Sequence, residues 1–297
     1  MIGHAAADRT TRRAAAVLAA LACALAGCMS QAPPAPSSPV QPSLAAGSLP
    51  RGRPAWMLTR TALAEVVADP AIRAGLDDTR VYEILQPGQQ PLAGVSAVPA
   101  VTFPSVAAMN HALTAGRLPA GLGAVVYDPE AWSFTPAAEQ RDPVRAAARA
   151  ADLARAHGLR LIVAPALNLT AVLSRGSAAP RWRQFLDLRL AAKLARAADV
   201  IELQAQSLER SPGTYAAFVR EAAAQARDAN AGVTVLAGLS TNPPGAAVDS
   251  RQLLAAIDAS RSSVDGYWLN IPGSGSRCPT CNQEQPDVGI ETLRAIL

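Results

Sequence analysis

Leu122-Gly-Ala-Val-Val-Tyr-Asp-Pro-Glu-Ala-Trp132 is the stretch on which the fold turns. Its short β-branched run, Val125 and Val126, is entered through Gly121 and Gly123 and predicts a buried strand rather than a helix. The run ends in two carboxylates, a proline and aromatics. Side chains alternate along a strand, so Asp128 and Glu130 should project to one side, in line with Val126. A long helical pattern then runs from about Asp142 to His157. Strand, acidic tip and helix follow one another in this order at the mouth of a parallel α/β barrel.

The same unit recurs on both sides of this stretch. Ala55–Leu58 reads as a first strand, followed by a helix from Thr61 to Ala68 that Asp69-Pro70 breaks. Val81–Leu85 and Val98–Phe103 are the second and third strands, and a helix follows from Ser105 to Thr114. Beyond the central stretch come Leu159–Pro165, entered from the helix stop His157-Gly158, then Val200–Gln204, Val233–Ala237 and Gly266–Ile271. A last helix covers Val288 to Leu297. Eight such units predict a (β/α)8 TIM-type barrel over residues 55–297, its first strand irregular if any is. An open doubly wound sheet is the alternative, but no Gly-rich phosphate loop follows any strand.

Composition narrows the partners. Aromatics are only 4% of the 297 residues, so Ala, Leu, Val and Ile must build the core. The formal charge is +4, without a basic block or basic–aromatic interleaving, which argues against nucleic acid.

The first 28 residues read as a targeting segment outside the fold. Arg9, Arg12 and Arg13 precede an apolar run, Ala14 to Leu25, too short to span a bilayer comfortably. The run ends in Leu25-Ala26-Gly27-Cys28, which resembles the lipobox of bacterial lipoproteins. That resemblance implies a lipidated Cys28 at the start of the mature chain. The protein would then be held on a membrane, facing the extracellular or periplasmic side. Residues 29–54 are rich in Pro, Ser and Ala and predict an extended, solvated linker.

Active sites of such barrels gather at the carboxyl ends of the strands. The tips here offer Glu83, Asp128, Glu130, Trp132, Asn168, Glu202, Gln204, Gln206, Ser240, Asn242, Trp268 and Asn270. No histidine is among them: His111 falls within a helix and His157 at a helix end, so His-based triads and zinc sites are poorly supported. No pattern calls for a metal or cofactor. Carboxylates exchange protons, carboxamides bond hydroxyls and indoles stack on sugar faces, a mixture suited to glycan binding or glycoside hydrolysis.

Asp128-Pro-Glu130 resembles the end of the D-x-x-D-x-D-x-E signature of chitinase-like family 18 glycoside hydrolases. The resemblance implies that Glu130 protonates the leaving oxygen and that Asp128 helps the substrate's acetamido group act as nucleophile. Trp268 is similar to the tryptophan flooring that family's sugar site. The strand-tip reading, apart from the resemblance, offers Glu83, Glu202, Gln204 and Asn270 as further substrate contacts. The chain departs from the pattern in several places. Gly123 and Val126 stand where the first two aspartates would be, Pro129 separates the acids, and Glu202 and Gln204 replace a tyrosine on the sixth strand. The chain as a whole also resembles secreted lipoproteins of high-GC bacteria, a likeness that brings no function with it.

Each feature has a plainer alternative. Asp128 could cap a turn, Glu130 could pair with a rim arginine, and Glu202 and the glutamines could serve backbone groups. Trp268 could fill the core, and Trp132 with Phe134 could cover the barrel top. Cys278-Pro-Thr-Cys281 lies in a Gly/Ser/Arg-rich loop after the last strand and reads as a small structural disulfide, with redox or zinc roles as alternatives. Three functions stay open: a hydrolase of extracellular or cell-wall polysaccharide, a non-catalytic barrel binding glycan or protein at the envelope, and a thiol–disulfide protein.

Overall fold

In the computed structural model, which describes residues 53–116, 118–243, 246–274 and 283–297, eight parallel strands close into a barrel in chain order. The strands are β1 Ala55–Thr59, β2 Val81–Leu85, β3 Val98–Phe103, β4 Ala124–Tyr127, β5 Arg160–Val163, β6 Val200–Leu203, β7 Thr234–Ser240 and β8 Gly266–Asn270. β1 is regular and pairs with both β2 and β8, so the first unit completes the ring. Gly266 permits that closure: a Cβ there would lie 2.0 Å from the Ala55 carbonyl oxygen.

The two faces of the strands form two cores. Ala55, Met57, Tyr82, Ile84, Ala100, Ala124, Val126, Ile162, Ala164, Val200 and Leu236 fill the barrel interior. Small alanines alternate with larger side chains, which lets layers from neighbouring strands interlock. The intervening residues, such as Trp56, Val125, Tyr127, Ile201 and Leu203, face the helices.

The helices covering this outer face are α1 Arg60–Val66, α2 Pro70–Leu76, α3 Val106–Ala115, α4 Ala137–Arg141, α5 Pro143–Ala156, α6 Thr170–Leu173, α7 Arg181–Asp187, α8 Leu190–Ala195, α9 Pro212–Ala229, α10 Ser250–Ser260 and α11 Pro286–Arg294. Their starts follow local chemistry. Asp142 accepts from Arg145 N to cap α5, with Pro143 in the first turn, and Asp249 and Gln252 form a reciprocal capping box on α10. Asp69 accepts from the amides of Ala71 and Ile72, so Asp69-Pro70 opens α2 as well as ending α1. Along α5, Ala146, Ala147, Ala150, Ala151 and Ala154 form one buried stripe, short enough to bring the helix close to the sheet. Gly158, at φ 67°, turns the chain out of α5 into β5.

One side chain expected at the mouth lies elsewhere. Glu83 shares its strand face with Val81 and Leu85, which belong to the outer core. Its two oxygens accept from Leu92 N at 2.9 and 3.1 Å, and Arg60 Nε lies 3.9 Å away. Burial raises its pKa, while the Leu92 amide and Arg60 oppose the rise. Glu83 therefore anchors the β2–β3 connection instead of joining the strand-tip cluster.

Candidate functional site at the barrel mouth

The site grows from the end of β4. Asp128 N donates to Phe103 O at 3.0 Å and Ala164 N to Tyr127 O at 2.9 Å, so the ladder runs on to the acidic tip. Pro129 contributes no donor, yet its carbonyl accepts from Ala166 N at 3.2 Å and keeps the chain against the β5 side. Asp128 continues the inward face of Ala124 and Val126. There it accepts a 2.8 Å hydrogen bond from Gln204 Nε2, which also donates to Ala164 O at 2.9 Å.

Glu130 is held from two directions. Its amide donates to Thr135 Oγ1 at 3.2 Å, and Asn168 Nδ2 donates to Glu130 Oε2 at 3.2 Å. The carbonyl oxygen of the Asn168 side chain accepts from Ala131 N at 2.8 Å, so its amino group must turn toward the acid. Burial raises the Glu130 pKa above the usual carboxylate range, and the Asn168 bond partly offsets this. Among the described residues no arginine pairs with it.

The rest of the loop locks this geometry. Thr135 accepts from Glu130 N and from Trp132 Nε1, at 3.2 and 2.9 Å, while its hydroxyl donates to Pro104 O at 2.9 Å. Gln140 Nε2 donates to the carbonyls of Trp132 and Thr135, each at 2.7 Å. Glu139 accepts from Tyr127 Oη at 2.9 Å and from Val106 N at 3.2 Å, joining α4 to β4 and the start of α3. These bonds hold the acid-bearing loop in one conformation, as a preorganised site requires.

Two strands on from β4, Glu202 shares the inward face of β6 with Val200. It is fully buried, and neither carboxyl oxygen has a hydrogen-bond partner. Burial first, then the charges of Asp128 and Glu130, push its pKa well above the carboxylate range. Burial thus favours its neutral form over the carboxylate. Gly238 of β7 makes room for it: a Cβ there would lie 2.6 Å from Glu202 Oε1 and 2.5 Å from Gln206 Cδ.

A cavity of about 570 Å³ opens at this end of the barrel, walled by Glu130, Asn168, Gln204, Gln206, Ser240, Asn242, Asn270, Arg181 and Trp182 among others. The structure thus brings Glu130, Gln204 and Asn270 into one cavity wall; Asp128, bonded to Gln204, and the fully buried Glu202 lie outside that wall, so Glu202 is not placed as a substrate contact. Trp268 faces inward on β8 against the interior core, its Nε1 buried without a partner and its ring outside the cavity wall. The indole that does line the cavity is Trp182, at the start of α7, braced by the Arg183 guanidinium 4.3 Å from its ring centroid.

Two residues escape a reading of strand tips. Trp182 lies in the long β5–β6 connection, where only the scarcity of aromatics could have flagged it. Glu209 follows the β6 tip and is fully buried; Ser240 N donates to its Oε2 at 2.9 Å, and Oε1 has no partner. Burial pushes its pKa up to about 9 against that bond.

Among the described residues no group of three or more His, Cys, Asp and Glu side chains could hold a metal ion, and no helix is long and apolar enough to cross a membrane. Cys28, the 29–54 linker and the Cys278–Cys281 pair lie outside the described residues, apart from Arg53 and Pro54.

No family model and no curated protein matches the chain. Solved structures do. Hydroxymethylglutaryl-CoA lyase from Pseudomonas aeruginosa is 15% identical, with a TM-score of 0.49 over 82% of this chain and 90% of that one. The carboxyl transferase domain of Rhizobium etli pyruvate carboxylase is 14% identical, with a TM-score of 0.42 over 83% and 46%. The catalytic domain of a family 18 chitinase from the fern Peteris ryukyuensis is 17% identical, with a TM-score of 0.41 over 77% and 78%. A lyase, a transferase and a chitinase at such values leave the chemistry of this chain to its own residues.

Proposed function

We propose that the protein is a carbohydrate-active hydrolase in which Glu130 is the general acid and Asp128 its assistant. One observation carries the reading. A half-buried carboxyl with raised proton affinity, fixed by Asn168, stands in the wall of a cavity whose other polar groups are mostly amides and hydroxyls. A carboxyl whose proton affinity is raised by burial is suited to hold a proton and release it to a leaving oxygen.

In this reading Glu130 gives its proton to the glycosidic oxygen as the bond to the anomeric carbon breaks. Asp128, oriented by Gln204, steadies an acetamido group of the substrate whose oxygen attacks that carbon. Water then attacks the anomeric carbon, displacing the acetamido oxygen and giving a proton back to the Glu130 carboxylate, which completes hydrolysis. Gln204, through its side-chain carbonyl oxygen, and Asn270 bond the sugar hydroxyls from the cavity wall. Lipidated Cys28 tethers the barrel to a membrane, within reach of cell-wall or extracellular glycan.

The test is Glu130→Gln, which keeps the shape and removes the proton. Hydrolysis of aryl glycosides and cell-wall polysaccharides should fall about 10²–10⁴-fold while sugar binding by calorimetry survives. A wild-type protein that binds sugars and cleaves none would instead be a glycan-binding barrel.

A further inference from the structure

The chain has only four each of Trp, Tyr and Phe. All four tyrosines, Trp56, Phe103, Phe185 and Phe218 are buried in the core. Of the remaining four, Trp268 packs against the interior core, and three belong to the mouth. Trp182 lines the cavity, and Trp132 and Phe134 sit on the loop that follows Glu130. Phe134 is 50% exposed, the exposed large hydrophobic among the described residues. Aromatic area is the most effective apolar material for a core, so a chain this poor in it has placed a quarter of its aromatic residues at one polar end.

The Trp132–Phe134 pair is built, not loose. The rings meet edge to face, 5.0 Å apart at 81°. Trp132 Nε1 donates to the same Thr135 oxygen that accepts from Glu130 N, so ring and acid are referenced to one atom. Glu130 belongs to the cavity wall with Trp182, whereas Trp132 and Phe134 do not. The acid therefore joins the cavity aromatic, with which it shares a wall, to an aromatic pair outside the cavity, with which it shares Thr135. A pocket made to hold one terminal sugar has no use for an apolar ring outside it.

Resting on the hydrolase reading, we infer that the substrate is a linear polysaccharide lying across Glu130, one stretch in the cavity against Trp182 and the next over Phe134 and Trp132. Cleavage then falls within the chain and not at its end. Pyranose rings present flat C–H faces, which stack on aromatic rings at each site and leave the hydroxyls to the amides between.

The experiment uses Glu130→Gln protein and calorimetry with chito-oligosaccharides from disaccharide to octasaccharide, which carry the acetamido group of the hydrolase reading, beside cello- and laminari-oligosaccharides, which lack it. Affinity should rise with length past the tetrasaccharide for the chito series. Adding Phe134→Ala should cancel that gain, lowering octasaccharide affinity about tenfold, and Phe134→Trp should restore it. Wild-type enzyme on the matching polymer should cut viscosity well before reducing ends accumulate. Equal affinity at every length, or indifference to Phe134→Ala, overturns the inference even where hydrolysis is seen. Length-dependent binding that Phe134→Ala abolishes, with the polymer left uncut, upholds the chain-binding surface and overturns hydrolysis. Failure to bind any of these sugars overturns both.

Discussion

Gln204 reaches from the end of β6 to donate a 2.8 Å hydrogen bond to Asp128 Oδ1 beyond β4, passing the tip of β5. The same nitrogen donates to Ala164 O at 2.9 Å, so one amide group ties three consecutive strand ends together.

Gln204→Leu keeps most of the volume and removes both bonds. Ala164 O and Asp128 lose a donor, which should cost about 1–2 kcal/mol in urea unfolding. Turnover should fall more than tenfold. Gln204→Glu should act differently, placing another carboxyl beside Asp128 and moving the acid limb of the pH–rate profile upward. A profile unmoved by either change would remove Gln204 from any role at the site.

Stability should decline toward alkaline pH because of Glu209. Its folded pKa, about 9, lies above the ordinary value of 4.5, so the native state favours the neutral acid. The stability this group contributes is fully present below about pH 4.5 and is lost as pH rises toward and through about 9. Glu202 shifts in the same direction. Within the window each pH unit should cost up to about 1.4 kcal/mol per such group. Glu209→Gln should flatten the curve of unfolding free energy against pH between about 6 and 9. The Asp69, Asp77 and Asp78 carboxyls, whose pKa values are lowered, act only at the acid end and leave this comparison clean. Parallel curves for variant and wild type would contradict the assignment.

Membrane attachment should depend on Cys28. Diacylation supplies apolar area for anchoring, so the mature protein should sediment with membranes and Cys28→Ser should release it or block its maturation. An unchanged membrane fraction would refute lipidation. The same preparation, alkylated without reductant, should show Cys278 and Cys281 linked by mass spectrometry.

Much of the frame was legible because each unit carries its own punctuation. β2 and β3 follow the sequence reading residue for residue, at Val81–Leu85 and Val98–Phe103, since apolar runs there stop at turn residues. The helix read from Asp142 to His157 lies within one residue at each end, because Asp142, Pro143 and Gly158 are local signals. The β5–β6 connection was less readable: α6, α7 and α8 are short, and it is the tertiary placement of the start of α7 that puts Trp182 in the cavity wall.

What the sequence could not decide is shown by two glutamates. Glu83 in Val-Tyr-Glu and Glu202 in Val-Ile-Glu are each the third residue of a strand apolar on both sides. The sequence by itself determined the strand order, the acidic tip at Asp128 and Glu130, and the poverty of aromatics. It could not say which parity of each strand faces inward, because barrel strands bury both faces and show no hydrophobic alternation. That choice is made by the stagger between neighbouring strands when the ring closes. Closure turns Glu83 outward to Leu92 N and Arg60, and turns Glu202 inward against Gly238, where the fields of Asp128 and Glu130 reach it.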